Sequence, residues 1–73
     1  MPSNNFYVSM YRTGNSNNYR LVGPFATSGA AEPHLIRTRA AAREVDIRAH
    51  FYLFAVSECQ SNQPGVLNAK VLS

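Results

Sequence analysis

Tryptophan is absent, cysteine and lysine each occur once, and no long apolar run is present. Each shortage removes a class of protein. The lone cysteine, Cys59, has no partner for an internal disulfide, so the chain is not a disulfide scaffold. Only His34 and His50 accompany it, well separated, and structural zinc takes four ligands in paired spacings, so no metal or other cofactor is expected. Without about 18 consecutive apolar residues there is no membrane span. The opening Met1-Pro2-Ser3-Asn4-Asn5 has neither a basic n-region nor an apolar h-region. The expectation is a cytoplasmic protein with Cys59 reduced. Charged residues are scarce at 15%, against 45% hydrophobic residues, which is the composition of a globular chain rather than a disordered one.

What is present is a chain of 73 residues, enough for one domain spanning positions 1–73. A chain of this size buries only about 60% of its unfolded surface and usually recruits a staple. With disulfide and metal set aside, self-association is the staple left, and a homodimer is expected. The net charge of +3 permits nucleic-acid binding but argues for it only weakly.

Along the chain, Phe6, Val8 and Met10 alternate with Tyr7, Ser9 and Tyr11, the period-2 pattern of a strand. Residues 13–18, "TGNSNN", read as a hairpin loop, because Gly and Asn tolerate positive φ. Residues 19–22 form the return strand. It is expected to stop at Pro24, which has no N–H for a ladder. Thr27 or Ser28 suits a helix N-cap. Ala31, Leu35, Thr38, Ala42 and Val45 then fall on one helical stripe. Pro33 implies a loose or 3₁₀-like turn over residues 28–32 and a regular helix over 33–45. Residues 50–56, "HFYLFAV", are apolar on both faces and read as a strand covered by its neighbours. Residues 1–5 read as a flexible N-terminus and 57–73 as a polar linker and tail. The tail end, 66–72, fits either a fourth strand or a helical turn. The resulting fold is α+β: ββαβ, a three-stranded antiparallel sheet in the order 2-1-3, with one helix on one face. Its expected core is Phe6, Val8, Met10, Leu21, Phe25, Leu35, Ala42, Val45 and Phe54.

The segment "YRLVGPFATSGAAEPHL" resembles the repeat unit of sporulation-related (SPOR) domains at Tyr19, Gly23, Phe25, Thr27, Ala30 and Ala31. That resemblance implies a ββαβ half-fold and binding to peptidoglycan glycan strands. The set "GPFAT", "VDIRAHFYLFAVS" and "QPGVLNAKVL" is similar to short proteins of proteobacterial phages and integrated elements, across nearly the whole chain. It implies origin and compactness, and no assigned chemistry.

Four groupings carry candidate function. Gly23-Pro24 ahead of Thr27-Ser28 offers backbone N–H groups to an anion, but phosphate loops use several glycines and a lysine, so a turn plus a cap is the plainer reading. Cys59, His50, His34 and Asp46 would be the parts of a thiol or acid–base site, yet no motif orients them, and no enzyme activity is expected. The series Arg37, Arg39 and Arg43 on the helix, with Arg48 beyond it, offers a phosphate surface, interrupted by Glu32 and Glu44. The fourth grouping is the sheet face away from the helix. It carries Tyr7, Tyr11 and Arg20, with either Phe51 and Leu53 or Tyr52 and Phe54 beside them. One helix covers one side of a sheet only, and the other awaits the tail, a second copy or a ligand. The expected partner-binding residues are therefore Tyr7, Tyr11, Arg20, Arg39 and Arg43. The expected function is a non-enzymatic phage or mobile-element protein acting by protein–protein contact, on a host complex or itself. The alternative is a small nucleic-acid-binding module in which bases stack on the sheet aromatics.

Overall fold

In the computed structural model, which describes residues 4–11 and 18–72, strand β1 (Asn5–Tyr11) lies between β2 (Asn18–Phe25) and β3 (Leu53–Cys59). Both pairings are antiparallel and the order is β2-β1-β3, the α+β arrangement expected from alternation and connection. The expected loop residues 13–17 lie outside the described residues.

Val8 sits opposite Val22 on one side and Val56 on the other, and Met10 sits opposite Tyr19 and Phe54. Paired residues share a face, so Phe6, Val8 and Met10 lie on the face that the helix covers. Val8 and Val22 are fully enclosed. Each contributes about 1.5–3 kcal/mol by leaving water. Against them pack Ala31, Ala41 and Ala42, and Thr38 is also fully buried. Small side chains on the stripe bring the helix close to the sheet. Phe6, Met10, Phe25, Leu35, Tyr52 and Phe54 are half-buried around this centre.

The helical segment is built in three pieces. Thr27 caps α1 (Ser28–Ala31), its Oγ1 accepting from the Ala30 N–H at 3.1 Å. A 3₁₀ turn follows over Glu32–His34, with Pro33 in its first positions, and α2 (Leu35–Val45) resumes the helix. The 3₁₀ geometry thus falls at the proline rather than ahead of it. Pro33 has no N–H to continue the α ladder, and a 3₁₀ turn accommodates its ring.

Three expectations are corrected. β2 does not stop at Val22 but runs to Phe25, through a register irregularity opposite the cis Gly23–Pro24 peptide. A proline is tolerated there because this is the outer strand and the bulge removes the need for its donor. Val45 is 64% exposed, not core, because the helix ends there and the chain leaves through Asp46. Residues 50–52 do not enter the last strand. The Asp46 carboxylate accepts from the Arg48 N–H at 2.9 Å and opens a 3₁₀ helix over Ile47–Phe51, so β3 starts at Leu53 and takes in residues 57–59.

The tail end is a helical turn, α3 (Asn68–Val71), whose Val71 is buried in the core. Lys70 pairs with Glu44 of α2 at 3.3 Å. No described helix is long and apolar enough to cross a membrane.

Candidate functional site

The two outer edges of the sheet are treated oppositely. Along β2 the tail fills the edge. Gly65 N–H donates to the Gly23 carbonyl (3.1 Å), Val66 N–H to Arg20 (3.4 Å) and Leu67 N–H to Leu21 (2.7 Å). The Asn68 carboxamide then takes both backbone groups of Gly23: its Oδ1 accepts from the N–H at 2.8 Å, and its Nδ2 donates to the carbonyl. A β-carbon on Gly65 would stand 2.5 Å from the Leu21 carbonyl oxygen, so only glycine lets the tail lie this close. Gly23, at φ +146°, has the same requirement from its backbone and from the Tyr7 ring, 2.5 Å from a β-carbon built there. The "GPF" and "PGVLN" segments are therefore two halves of one lock. Both backbone groups of Gly23 are taken by its own chain, so neither is offered to an anion.

The same tail closes one end of the sheet face on which Tyr7 lies. Tyr7 is fully buried, and its hydroxyl donates to the carbonyls of Ser61 (3.0 Å) and Gln63 (2.8 Å). Asn5 Nδ2 donates to the same Ser61 carbonyl at 2.8 Å. Tyr7 is thus a core residue rather than a contact for a partner, because the tail supplies the acceptors its hydroxyl needs. Arg20 stays exposed and lays its guanidinium over the Tyr7 ring, 5.8 Å from the centroid. Ser9 is enclosed next to Tyr7, with its hydroxyl against that of Ser57. Farther along this face, the described residues provide less cover. Tyr11 is half-buried, and its cross-strand neighbour Leu53 is 70% exposed.

Among the described residues the β3 edge has none of the devices seen on β2. Its seven pairs with β1 run without a register shift, and its sequence, "LFAVSEC", has no Pro, no Gly and one charge. Proteins normally blunt such an edge with lysine, proline, a bulge or a covering segment. The backbone directions follow from the opposite edge. The Leu21 and Gly23 carbonyls point out to the tail, so Val22 turns its N–H and C=O toward β1. Val8, opposite Val22, faces back toward β2. Val56, opposite Val8 on the other side, then turns its N–H and C=O away from the sheet, as do Phe54 and Glu58 two residues either way. Among the described residues nothing bonds to these groups.

Beside this edge lies an open groove of about 340 Å³ lined by Leu35, Ile36, Arg39, Tyr52, Leu53 and Phe54. Ile36 is 83% exposed, and Phe51, just ahead of the strand, is 78% exposed. Tyr52 and Phe54 turn to the core, while Phe51 and Leu53 do not. The structure therefore brings Arg39 together with Leu53 and leaves Tyr11 as the cross-strand neighbour of Leu53 on the other face. Arg43 is on the stripe that Ile36 and Arg39 begin, but it is half-buried, its Nε enclosed, and it does not line the groove.

The remaining candidates are dispersed. His34 stacks on Phe25, ring centroids 5.1 Å apart. Asp46 grips Arg48 in an ion pair at 2.9 Å, which raises the guanidinium pKa further above its ordinary value through the hydrogen bond and the charge of that carboxylate. His50 is exposed in the 3₁₀ helix and Cys59 ends β3. Among the described residues no three His, Cys, Asp or Glu side chains gather as a metal site.

Comparison of the chain with protein-family models, curated proteins and solved structures finds no match to any of them. Of the site's residues, Ile36 is absent from the sequence-based candidates, and Leu53 is there only in one of two alternative pairs on the open face. Their signal was present: Ile36 falls off the apolar stripe of α2, and Leu53 pairs with outward-facing Tyr11.

Proposed function

We propose that this chain is a non-enzymatic binding protein that acts by protein–protein contact along the β3 edge, with Ile36 and Arg39 of α2 beside it. One observation carries the reading: the β2 edge is closed by a bulge, a proline and a bonded tail, while the β3 edge is regular in register, nearly uncharged and, among the described residues, open. An open edge offers main-chain hydrogen bonds for affinity, and the flanking groove offers a place for side chains, which is recognition by strand addition. The resemblance to short phage and mobile-element proteins makes a host complex or a second copy the class of partner, and the cytoplasm, where Cys59 stays a thiol, the compartment. Nucleic-acid binding draws less support, since the Tyr7 ring is enclosed and no longer a platform on which a base stacks.

The test is affinity capture of the tagged chain, co-expressed with an untagged copy, from nuclease-treated bacterial extract. A bound protein that survives nuclease and is lost with Leu53→Lys supports the reading. Binding that disappears with nuclease, or that Leu53→Lys leaves unchanged, contradicts it. Circular dichroism of the variant guards against unfolding, and Leu53 is exposed enough for the fold to tolerate the lysine.

A further inference from the structure

We propose that the strand completing the β3 edge comes from a second copy of this chain, joined antiparallel about a two-fold axis through Val56. The inference rests on the reading of β3 as an interaction edge and names its occupant.

Backbone geometry narrows the register, and full overlap of Leu53–Cys59 with its copy selects it. The outward-facing residues are Phe54, Val56 and Glu58, symmetric about Val56. An antiparallel neighbour in register must present its own outward residues opposite them. A two-fold axis through Val56 does this with the same strand. Val56 pairs with Val56 of the second copy, and Phe54 with Glu58 of the second copy, twice by symmetry. The intervening residues meet as Leu53 with Cys59 and Ala55 with Ser57, so the exposed Leu53 gains a cover.

Charge complementarity identifies the second copy as the occupant. The ion pairs among the described residues are Arg48–Asp46 and Lys70–Glu44, so Arg39 and Glu58 find no opposite charge within this set. Both are exposed, and Glu58 takes one hydrogen bond, from Asn4 Nδ2 at 3.0 Å. Glu58 lies on the helix face of the sheet, as do Val56 and Phe54. In the two-fold pair it comes beside Phe54 of the second copy, at the groove that Phe54 and Arg39 line together. Each copy thus supplies the carboxylate that the other's groove lacks. Opposite charges placed across neighbouring strands favour the register, and like charges there oppose it.

The blocked β2 edge sets the size of the assembly. Its backbone groups are occupied by Gly65, Leu67 and Asn68, so a third copy has no edge to join. The product is a closed dimer with a six-stranded sheet, both α2 helices on one face.

The experiment is sedimentation velocity of the full chain across the micromolar range, with Arg39→Glu, Glu58→Arg and the double reversal. Wild type should pass from monomer to dimer as concentration rises. Each single reversal sets like charges together at two symmetric places and should weaken dimerisation about tenfold. The double reversal should restore it. Wild type that stays monomeric, or a dimer indifferent to all three variants, overturns the proposal. If monomeric wild type still captures another protein in a manner lost with Leu53→Lys, the self-pairing fails while the edge reading stands. If that capture is also absent, both fail.

Discussion

Asn68 holds Gly23 by both of its backbone groups, accepting from the N–H and donating to the carbonyl. A side-chain amide has the same donor and acceptor as a peptide unit, so it can stand where the next strand of a sheet would. Here it ends the sheet, because beyond it the chain turns into α3 and no further ladder is presented.

Removing that amide leaves a part-buried N–H without its partner. Asn68→Ala should therefore destabilise the fold by about 1–3 kcal/mol. Urea unfolding followed by circular dichroism measures it, read as a lower midpoint at an unchanged slope. A change within experimental error would mean that the Gly65 and Leu67 bonds alone hold the tail.

Gly65 is a sharper case, because the obstacle is backbone. A methyl group there meets the Leu21 carbonyl oxygen at 2.5 Å and the Val22 nitrogen at 2.6 Å. Neither can rotate away, so Gly65→Ala should cost about 1–3 kcal/mol by forcing the tail off β2. Hydrogen exchange at Leu67, whose N–H bonds to Leu21, should rise with it.

Tyr7 separates the two readings of its sheet face. As a buried residue it should cost about 3–5 kcal/mol when changed to alanine, the range for a large aromatic in a core. Tyr7→Phe keeps the ring but strips the Ser61 and Gln63 carbonyls of their donor, and should cost about 1–2 kcal/mol. A partner contact would instead leave stability unchanged in both variants and lower binding.

Much of the fold was legible because its determinants are local or periodic. Alternation at Phe6, Val8 and Met10 marked the central strand and the face that meets the helix. Thr27 announced the cap and Pro33 the interruption. The misreadings have two causes. The tail's lock on β2 is a match between one amide and one glycine 45 positions away, and no periodicity reports such a contact. Hence strand alternation alone places Tyr7 on an open face. Hydrophobicity, moreover, does not state whose surface covers a residue. Residues 50–56 are apolar on both faces, so the pattern leaves open which face is covered; the structure packs Tyr52 and Phe54 against the core and exposes Phe51 and Leu53. A strand meant for a partner carries the same apolar pattern as a strand meant for the core. The candidate site was legible to the extent of Arg39 and Tyr11, which lie to either side of that edge.

The most direct measurement is hydrogen exchange at the Val56 amide, read by NMR at low and high protein concentration. Val56 turns its N–H out of the sheet, so in a lone chain it meets solvent, while in the two-fold pair it bonds to the Val56 carbonyl of the second copy. Val8, in the central strand, serves as the reference and should exchange slowly throughout. The expected result is fast exchange at Val56 in dilute solution and marked slowing as concentration rises, with Val8 unchanged. Exchange at Val56 that is equally fast at both concentrations would contradict self-pairing through β3.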